Sequence, residues 1–452
     1  MSNRKTDYLI IGNSAAGVTA AETIRRKCPS ASITIVGEEP YPVYGRPLIS
    51  YLIEGKTDEG HIGFKDPEFY SNNSIDALLG PEFKAVSLSP KEQVVKLANG
   101  DSVEYEKCLM ATGSIPFTPP ITGLDGRSNV YTFMNLDDAK SAWKATVEAT
   151  EKAHEEGRES RVVVIGAGLI GLKAAESLSH HADDVVVLEL APRILPAVLD
   201  DEGAEILQKM LAERGIRAFP GITAQQVRGE GDRATSIQLT DDSVIDCDVI
   251  IAAVGVRPNS ELAINAGAEA ERGLVCDEHL QTSLPNVYAA GDVVQVSDAL
   301  DGSKHPLALW PNAMRQGKVA GLAMAQADDE EIFEGSFAVN AVDFFDASLL
   351  TAGLINPMEG SGCNIETRVT DDSYSKFVFR DDHLVGYILL NQPLNAGLYT
   401  AMIEQRIPLY EVNPAAFSGA PENLDFDASL RWQRLHKDYP EDRNKLGWKK
   451  VS

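Results

Sequence analysis

The chain has 452 residues, too many for a single hydrophobic core, and its length fits about three domains. Hydrophobic residues make up 44% and charged residues 24%, the balance of a water-soluble protein, and no apolar run approaches the ~20 residues that cross a bilayer. The net charge of −26 speaks against nucleic acid, whose phosphates it would repel. Met1 to Asp7 lead straight into a strand and leave no room for a signal peptide, so the cytoplasm is the expected location.

In chain order, Tyr8 to Ile11 is an apolar strand that ends in Gly12-Asn13-Ser14-Ala15-Ala16-Gly17 and opens a helix. A second strand, Ser32 to Val36, closes on Gly37-Glu38-Glu39. A loop rich in Pro, Tyr and Gly runs from Pro40 to Pro47, and a short helix is expected around Leu48 to Ile53. Residues 75 to 107 alternate apolar and polar and predict a hairpin or meander with a turn at Ala98-Asn99-Gly100-Asp101. Tyr105 to Met110 predicts a strand ending in Ala111-Thr112-Gly113. Leu136 to about Glu156 is polar and alanine-rich, and predicts a solvent-facing helix.

The same order of parts then repeats. Val162 to Ile165 is an apolar strand that ends in Gly166-Ala167-Gly168-Leu169-Ile170-Gly171, with a helix and a strand ending in Glu189 after it. A helix is expected over 205–215, a second meander over Thr223 to Cys247, and a strand from Val249 to Val254 before Gly255-Val256-Arg257-Pro258. Asn286 to Val293 reads as a strand that runs into Gly291-Asp292, and Pro311 opens a helix to Ala325. From about 335 the pattern turns strand-rich, with a tight turn at Arg380-Asp381-Asp382-His383 and a helix over 395–405. The tail from about 415 thins in apolar content and carries Trp432 and Trp448 among basic and acidic residues.

Strand, small-residue turn, helix and, about 20 residues on, an acid form a dinucleotide-binding fingerprint, here present twice. The helix start offers free N–H groups and the positive end of its dipole to a pyrophosphate, and the acid accepts from a ribose diol. Ser14 replaces the second glycine of the first copy and is small enough to keep the backbone approach. Two dinucleotides in one chain imply electron transfer between them. Cys28, Cys108, Cys247, Cys276 and Cys363 are scattered, without CxxC or CxxxxC spacing, so neither a zinc site nor a local dithiol is expected; Cys108 and Cys247 are expected to be buried.

With these landmarks in this order the sequence resembles the pyridine nucleotide–disulfide oxidoreductases over about residues 5 to 330. The resemblance implies an α/β fold of two Rossmann-like dinucleotide-binding domains, for FAD and NAD, plus a C-terminal α+β interface domain. The implied boundaries are 1–118 with 256–332 for FAD, 119–255 for NAD, 333–414 for the interface domain and 415–452 for an extension. It places FAD on Gly12, Ser14, Ala15, Ala16, Gly17, Glu38, Arg46, Pro47, Ala111, Thr112, Gly113, Gly291, Asp292 and Asn312. It places NAD on Gly166, Gly168, Leu169, Ile170, Gly171, Glu189, Val254 and Gly255. Glu189 stands where a 2′-phosphate would sit and favours NADH over NADPH, although Arg193 is near enough in sequence to pair with a phosphate or with Glu189 itself.

Ile49-Ser50-Tyr51-Leu52-Ile53-Glu54-Gly55 aligns with the stretch that carries the single redox cysteine of NADH oxidases and peroxidases, with Glu54 in the cysteine's place. Thiolate chemistry is therefore not expected. Glu54 is read as a helix-surface carboxylate, with a proton relay as the alternative. Tyr44-Gly45-Arg46-Pro47-Leu48 is similar to the loop of rubredoxin reductases and nitrite reductase flavoproteins, which implies Arg46 near the flavin; a surface ion pair is its alternative. Trp310, just before the Pro311 helix, either covers the isoalloxazine or is a core aromatic.

The function expected is transfer of electrons between NADH and a ferredoxin, rubredoxin or iron–sulfur subunit, in either direction, in a homodimer or within a larger hetero-oligomeric complex. An oxidase that reduces oxygen without a redox cysteine and a non-catalytic flavoprotein docking subunit are the alternatives. The tail is read as a docking segment or as a strap across a dimer partner.

Overall fold

The computed structural model describes residues 3–328, 331–392, 396–417, 422 and 425–430. The Trp432 and Trp448 segment lies outside the described residues. Two compact units emerge: Met1–Ala197 with Leu211–Ala338, and Val198–Met210 with the described part of Val339–Ser452.

The first unit begins with β1 (Asn3–Ile11), α1 (Ala15–Lys27) and β2 (Ile33–Gly37), followed by a one-turn helix at Arg46–Leu48 that runs into α2 (Ile49–Ile53). Next come α3 (Phe69–Asn72), β3 (Ile75–Leu79), β4 (Ala85–Ser89), β5 (Val94–Leu97), β6 (Ser102–Met110) and β7 (Ser114–Pro116). Then follow β8 (Val130–Tyr131), α4 (Leu136–Glu155), β9 (Arg161–Ile165), α5 (Leu169–Ser179) and β10 (Asp184–Glu189). After α6 (Asp201–Glu213), which begins in the second unit, come β11 (Ile216–Pro220), β12 (Ala224–Glu230), β13 (Arg233–Leu239), β14 (Val244–Asp246), β15 (Val249–Ala252) and β16 (Val256–Pro258). The unit closes with α7 (Glu261–Asn265), β17 (Val287–Ala289), β18 (Gln295–Ser297), β19 (Lys304–Pro306) and α8 (Trp310–Ala325).

Two sheets organise it. In the first, β3, β2, β1 and β6 lie in that order and parallel, β17 adds to β6 in parallel, and β5 and β4 continue beyond β6 as an antiparallel meander. The second runs β11-β10-β9-β15-β8, all parallel, with β12-β13-β14 as its own meander. Parallel strands covered by helices on both faces must be apolar throughout. That is why Leu9, Ile10, Val163, Val164 and Ile165 are 0% exposed. The short pair β7·β16 runs antiparallel, with Ile115 opposite Arg257, so the segments that leave β6 and β15 are hydrogen-bonded to each other.

Three expectations change here. Residues 75–107 are not one meander: β3 is a parallel member of the main sheet, because its alternation also suits an edge strand half-covered by helix. The turn at Ala98 to Asp101 holds, between β5 and β6. Helix α4 faces solvent on one side only: Ala139, Ala142, Thr146, Ala149 and Ala153 recur at helical spacing and are buried, a stripe that alanine makes inconspicuous. Trp310 lies inside α8 as its first residue, not before it, and packs edge-to-face on Phe64 at 5.0 Å.

The second unit is a five-stranded antiparallel sheet, β20 (Val339–Phe344), β21 (Ala347–Gly353), β22 (Asn364–Val369), β23 (Tyr374–Arg380) and β24 (His383–Leu390), in the order β20-β21-β24-β23-β22, followed by α9 (Ala396–Glu404). Asp381 and Asp382 make the tight turn with φ of +49° and +58°. Lys376 Nζ and Tyr374 Oη both donate to Asp200 Oδ2, at 2.8 and 2.6 Å. Burial works to raise the Asp200 carboxyl, but these donors and the Gly203 N–H outweigh it and hold the group below its usual range.

Candidate functional site

Both glycine turns fall where a parallel strand meets the helix after it. At the first, Gly12 has φ +124°, and a Cβ there would sit 2.0 Å from the Ala111 carbonyl oxygen; a Cβ on Gly17 would sit 2.0 Å from that of Gly12. Glycine at these positions is demanded by the protein itself, which lets α1 start tight against β1 and lets β6 end beside the turn. Ser14 is the N-cap of α1 but makes no side-chain cap bond, so its hydroxyl and the first N–H groups of Ala15 and Ala16 are not consumed by capping.

The second turn repeats this. A Cβ on Gly166 (φ +106°) would meet the Ala253 carbonyl oxygen at 2.3 Å, and one on Gly171 that of Gly166 at 1.9 Å. Gly168 differs. Its φ is −77°, and a Cβ there would meet nothing within 4 Å. Neither strain nor packing requires glycine at 168, so the open face above it fits an approaching pyrophosphate. Leu169 and Ile170 are half-exposed at the same helix start.

The acids that follow the two turns are held differently. Glu189 Oε2 accepts from the Ala167 N–H and Oε1 from the Ala191 N–H, both at 2.7 Å, which docks the carboxylate against the glycine turn. Arg193 donates to the Pro196 carbonyl at 3.5 Å. Glu38 is exposed and pairs with Lys84 at 2.8 Å.

Between the turns lies a polar set. Ala111 donates its N–H to Ile11 O, and Thr112 Oγ1 donates to Asn259 O at 2.6 Å. Gly113 (φ +68°) and Gly255 (φ +123°) both face open space, and Val254 is half-buried beside them. Asp292 is half-buried and accepts from Ser114 Oγ at 3.0 Å. Burial pushes its carboxyl up, against the pull of Ser114 and of the nearby Arg46 charge. Gly291 gives its N–H to Gln316 Oε1 at 2.7 Å. Asn312 is buried in the first turn of α8; its Oδ1 accepts from Ser336, and its Nδ2 makes no hydrogen bond among the described residues. A buried amide donor and a carboxyl raised by burial are the kind of groups that a hydroxyl- and carbonyl-rich cofactor satisfies.

Arg46 pairs with Glu39, donates to Met134 O at 3.2 Å, and lies over the Tyr44 ring at 5.6 Å. Tyr44 Oη donates to Glu39 Oε2 at 2.5 Å and accepts from the Leu136 N–H at 3.0 Å. Glu39 was not singled out in the sequence, because Glu38 beside it holds the fingerprint position. Tyr70 was missed as well: its hydroxyl donates to Asn13 in the first turn at 2.8 Å and accepts from the Val43 N–H at 2.9 Å. Pro47 is exposed at the start of the one-turn helix.

Glu54 is not a surface carboxylate. Its side chain is 0% exposed and lies among Lys56, Lys173, Glu176 and Ser177. The reading failed because a carboxylate just past the end of a short helix, followed by Lys56, has the sequence pattern of a solvated helix end. The cysteines are free: Cys108 and Cys247 are buried, and burial pushes the thiols of Cys247 and Cys276 up to about 12. Among the described residues no group of three or more His, Cys, Asp or Glu is placed to hold a metal ion, and no helix is long and apolar enough to cross a membrane.

The sequence profile of the family described as "Pyridine nucleotide-disulphide oxidoreductase" matches residues 6–317. The NADH-dependent phenylglyoxylate dehydrogenase subunit epsilon of Aromatoleum evansii is 29% identical over 408 residues, 89% of this chain and 93% of that protein. An NADH oxidase of Methanocaldococcus jannaschii is 35% identical over 324 residues, 70% of this chain and 69% of that protein. Among solved structures, the covalent putidaredoxin reductase–putidaredoxin complex contains a chain that aligns with a TM-score of 0.79 at 23% identity, covering 96% of this chain and 99% of that one, a likeness of fold.

Proposed function

Because this chain belongs to the pyridine nucleotide-disulphide oxidoreductase family, as an FAD-dependent NAD(P)H oxidoreductase using FAD and NADH, we propose that it passes electrons between NADH and an iron–sulfur or rubredoxin-type carrier. The observation that carries this reading is the pair of glycine turns in one unit, the second with an open face at Gly168, combined with a carboxylate in place of the redox thiol. FAD supplies the step that accepts a two-electron hydride and releases electrons singly. The chain's own residues bind, orient and shield.

In this assignment, residues 1–118 and 256–332 form the FAD part, 119–255 the NAD part and 333–414 an interface domain. The turn at Gly12 to Gly17 and the start of α1 take the FAD pyrophosphate, Glu38 the adenosine ribose, and Asp292 hydroxyls of the ribityl chain. Asn312 offers its buried N–H near the ring system, and Arg46, fixed by Glu39, brings positive charge beside Asp292. Gly168 to Gly171 take the NADH pyrophosphate. Glu189, already locked to two backbone N–H groups, is aimed for a ribose diol and repels a 2′-phosphate. No side chain has to move a proton in the hydride step, so the geometry needed is proximity and exclusion of water. The cytoplasm is the proposed location.

The relative that is a subunit of a dehydrogenase supports the variant in which this chain works inside a larger complex. The relative named as an NADH oxidase supports the second reading, direct reduction of oxygen. Anaerobic stopped-flow spectroscopy separates them. Flavin bleached quickly by NADH, then reoxidised quickly by oxidised ferredoxin or rubredoxin but slowly by oxygen, is the expected result. Fast reoxidation by oxygen alone makes the protein an oxidase. Failure of NADH to bleach the flavin overturns both.

A further inference from the structure

Among the described residues, the cluster around Glu54 holds two carboxylates that are almost fully buried and that the reading above leaves without a role. Glu54 follows α2 directly. Its Oε1 lies 3.3 Å from Lys173 Nζ and accepts from Ser177 Oγ at 3.3 Å. Lys173 also donates to Glu176 Oε2. Lys56 Nζ stands 2.6 Å from Glu54 Oε2, close but poorly aligned for a hydrogen bond, and 3.8 Å from Glu176 Oε1. The Glu54 and Glu176 side chains are 0% and 1% exposed, whereas Lys56 is 51% exposed. Both lysines lie over the Tyr51 ring, at 4.9 and 5.4 Å. His181, just past α5, sets its Nε2 3.0 Å from the Ile53 carbonyl oxygen.

Among the described residues, two carboxylates, Glu54 and Glu176, here meet two ammonium groups, Lys56 and Lys173. Such a group resists displacement, because drawing the segment after α2 away from α5 parts buried Glu54 from Lys173 at the cost of an uncompensated buried charge. Its location gives that resistance a use. Glu54 is eight residues after Arg46, across the one-turn helix and α2. Lys173 is five residues after Gly168, in the second turn of α5. The cluster therefore ties the segment that carries Arg46 to the helix whose start forms the second glycine turn. The tie occurs at three successive levels, two in α5, at Lys173 and at Glu176 with Ser177, and one just past its end, at His181.

We propose that Glu54, Lys173 and Glu176, with Lys56, form an ion-paired strut that sets the start of α5 against the Arg46 loop, so that Glu54 and Lys173 are positioning residues for hydride transfer between the two dinucleotides. The proposal rests on the two-dinucleotide reading above. The position that carries a redox thiol in cysteine-bearing relatives here holds alignment rather than chemistry.

The test compares Lys173→Met, Glu54→Gln and Lys173→Arg in the flavin-loaded full-length protein. Flavin bleaching by NADH is followed anaerobically, and NAD+ binding is measured by calorimetry. A shift of about 1 Å in the reacting atoms costs about 100-fold, so K173M and E54Q should slow the limiting rate of bleaching by about 10- to 100-fold. NAD+ affinity should stay close to wild type, because the turn at Gly168 is intact, and dithionite should still bleach the flavin. K173R, which keeps the charge and can reach both carboxylates, should restore most of the rate. Wild-type rates in K173M and E54Q, or a loss in K173R as large as in K173M, would overturn the strut. If the charge variants do not fold, Ser177→Ala decides, since it strands no charge: a slower limiting rate supports the strut and an unchanged one overturns it. Wild-type protein that NADH does not bleach overturns the functional reading first, and the positioning role with it.

Discussion

The two glycine turns have nearly the same local geometry but opposite support. Helix α1 of the first turn is held by backbone-close packing: a Cβ on Gly317 of α8 would sit 2.3 Å from the Ala16 carbonyl oxygen, and one on Gly321 3.0 Å from that of Ala20. Helix α5 of the second turn is held on one side by the buried ions around Glu54. The acids differ in the same sense. Glu38 is an exposed carboxylate on an exposed lysine, whereas Glu189 is fixed by two N–H groups. A fingerprint motif thus specifies the turn and says little about what braces it. Small residues at close approach make a rigid seat, and paired buried charges with a docked acid make an aligned one.

The largest expected effect is on the packed seat. Gly317→Val puts a branched side chain where the Ala16 carbonyl oxygen stands, so α1 and α8 must part. Overpacking of this kind costs about 1–3 kcal/mol, and more where backbone must move. The purified variant should melt well below wild type and lose its yellow colour; an unchanged Tm with full flavin content would refute the contrast. On the other seat, Glu189→Ala strands the Ala167 and Ala191 N–H groups. A loss of about 1–3 kcal/mol in urea unfolding is expected, together with weaker NADH binding.

Gly168→Ala sharpens the comparison, because it separates folding from binding. No protein atom waits within 4 Å and φ is ordinary, so stability should change by no more than ~0.5 kcal/mol. In the proposed assignment the added methyl stands where the pyrophosphate approaches, so NADH affinity should fall markedly. Gly166→Ala, by contrast, meets the Ala253 carbonyl oxygen and should lose both.

Two carboxylates predict opposite pH behaviour. Burial raises Asp292, so in flavin-free protein its contribution to stability is fully present below the ordinary carboxylate pKa of about 4 and is lost as pH rises through the raised folded value. Asp200 in the second unit is depressed by Lys376 and Tyr374 despite its burial. Its contribution is present above about 4 and is lost as pH falls through the lowered folded value. Asp292→Asn should flatten the first dependence and Asp200→Asn the second, in denaturant midpoints measured from pH 3 to 7.

What the sequence made legible was local. Strand, small-residue turn and helix are consecutive, so Gly12 to Gly17 and Gly166 to Gly171 could be placed before any tertiary contact was known. The Gly-Asp end of the β17 segment and the Pro311 helix were legible for the same reason. Burial of charge was not. Lys173 and Glu176 are three apart on a helix, the spacing of a solvated pair, and the approach of α2 and Glu54 from more than a hundred residues earlier in the chain helps to enclose them. Glu39 was hidden because it sits next to the residue that the motif names. Helix α4 was misread because a buried alanine stripe hardly differs in composition from an exposed one. Each miss lies where a long-range neighbour, and not the local pattern, decides what faces water.

The smallest expected effect closes the comparison. Lys84→Ala removes the partner of Glu38, and because both side chains are more than half exposed the pair contributes at most a few tenths of a kcal/mol. Tm should not move measurably. Flavin retention on dilution, however, reports whether Lys84 competes with the ribose for Glu38. If Glu38 serves the adenosine end, freeing it should leave retention equal or slightly better. A clear loss of flavin would mean that Lys84 itself contacts the cofactor, and that the first seat too relies on a charge to complete its binding face.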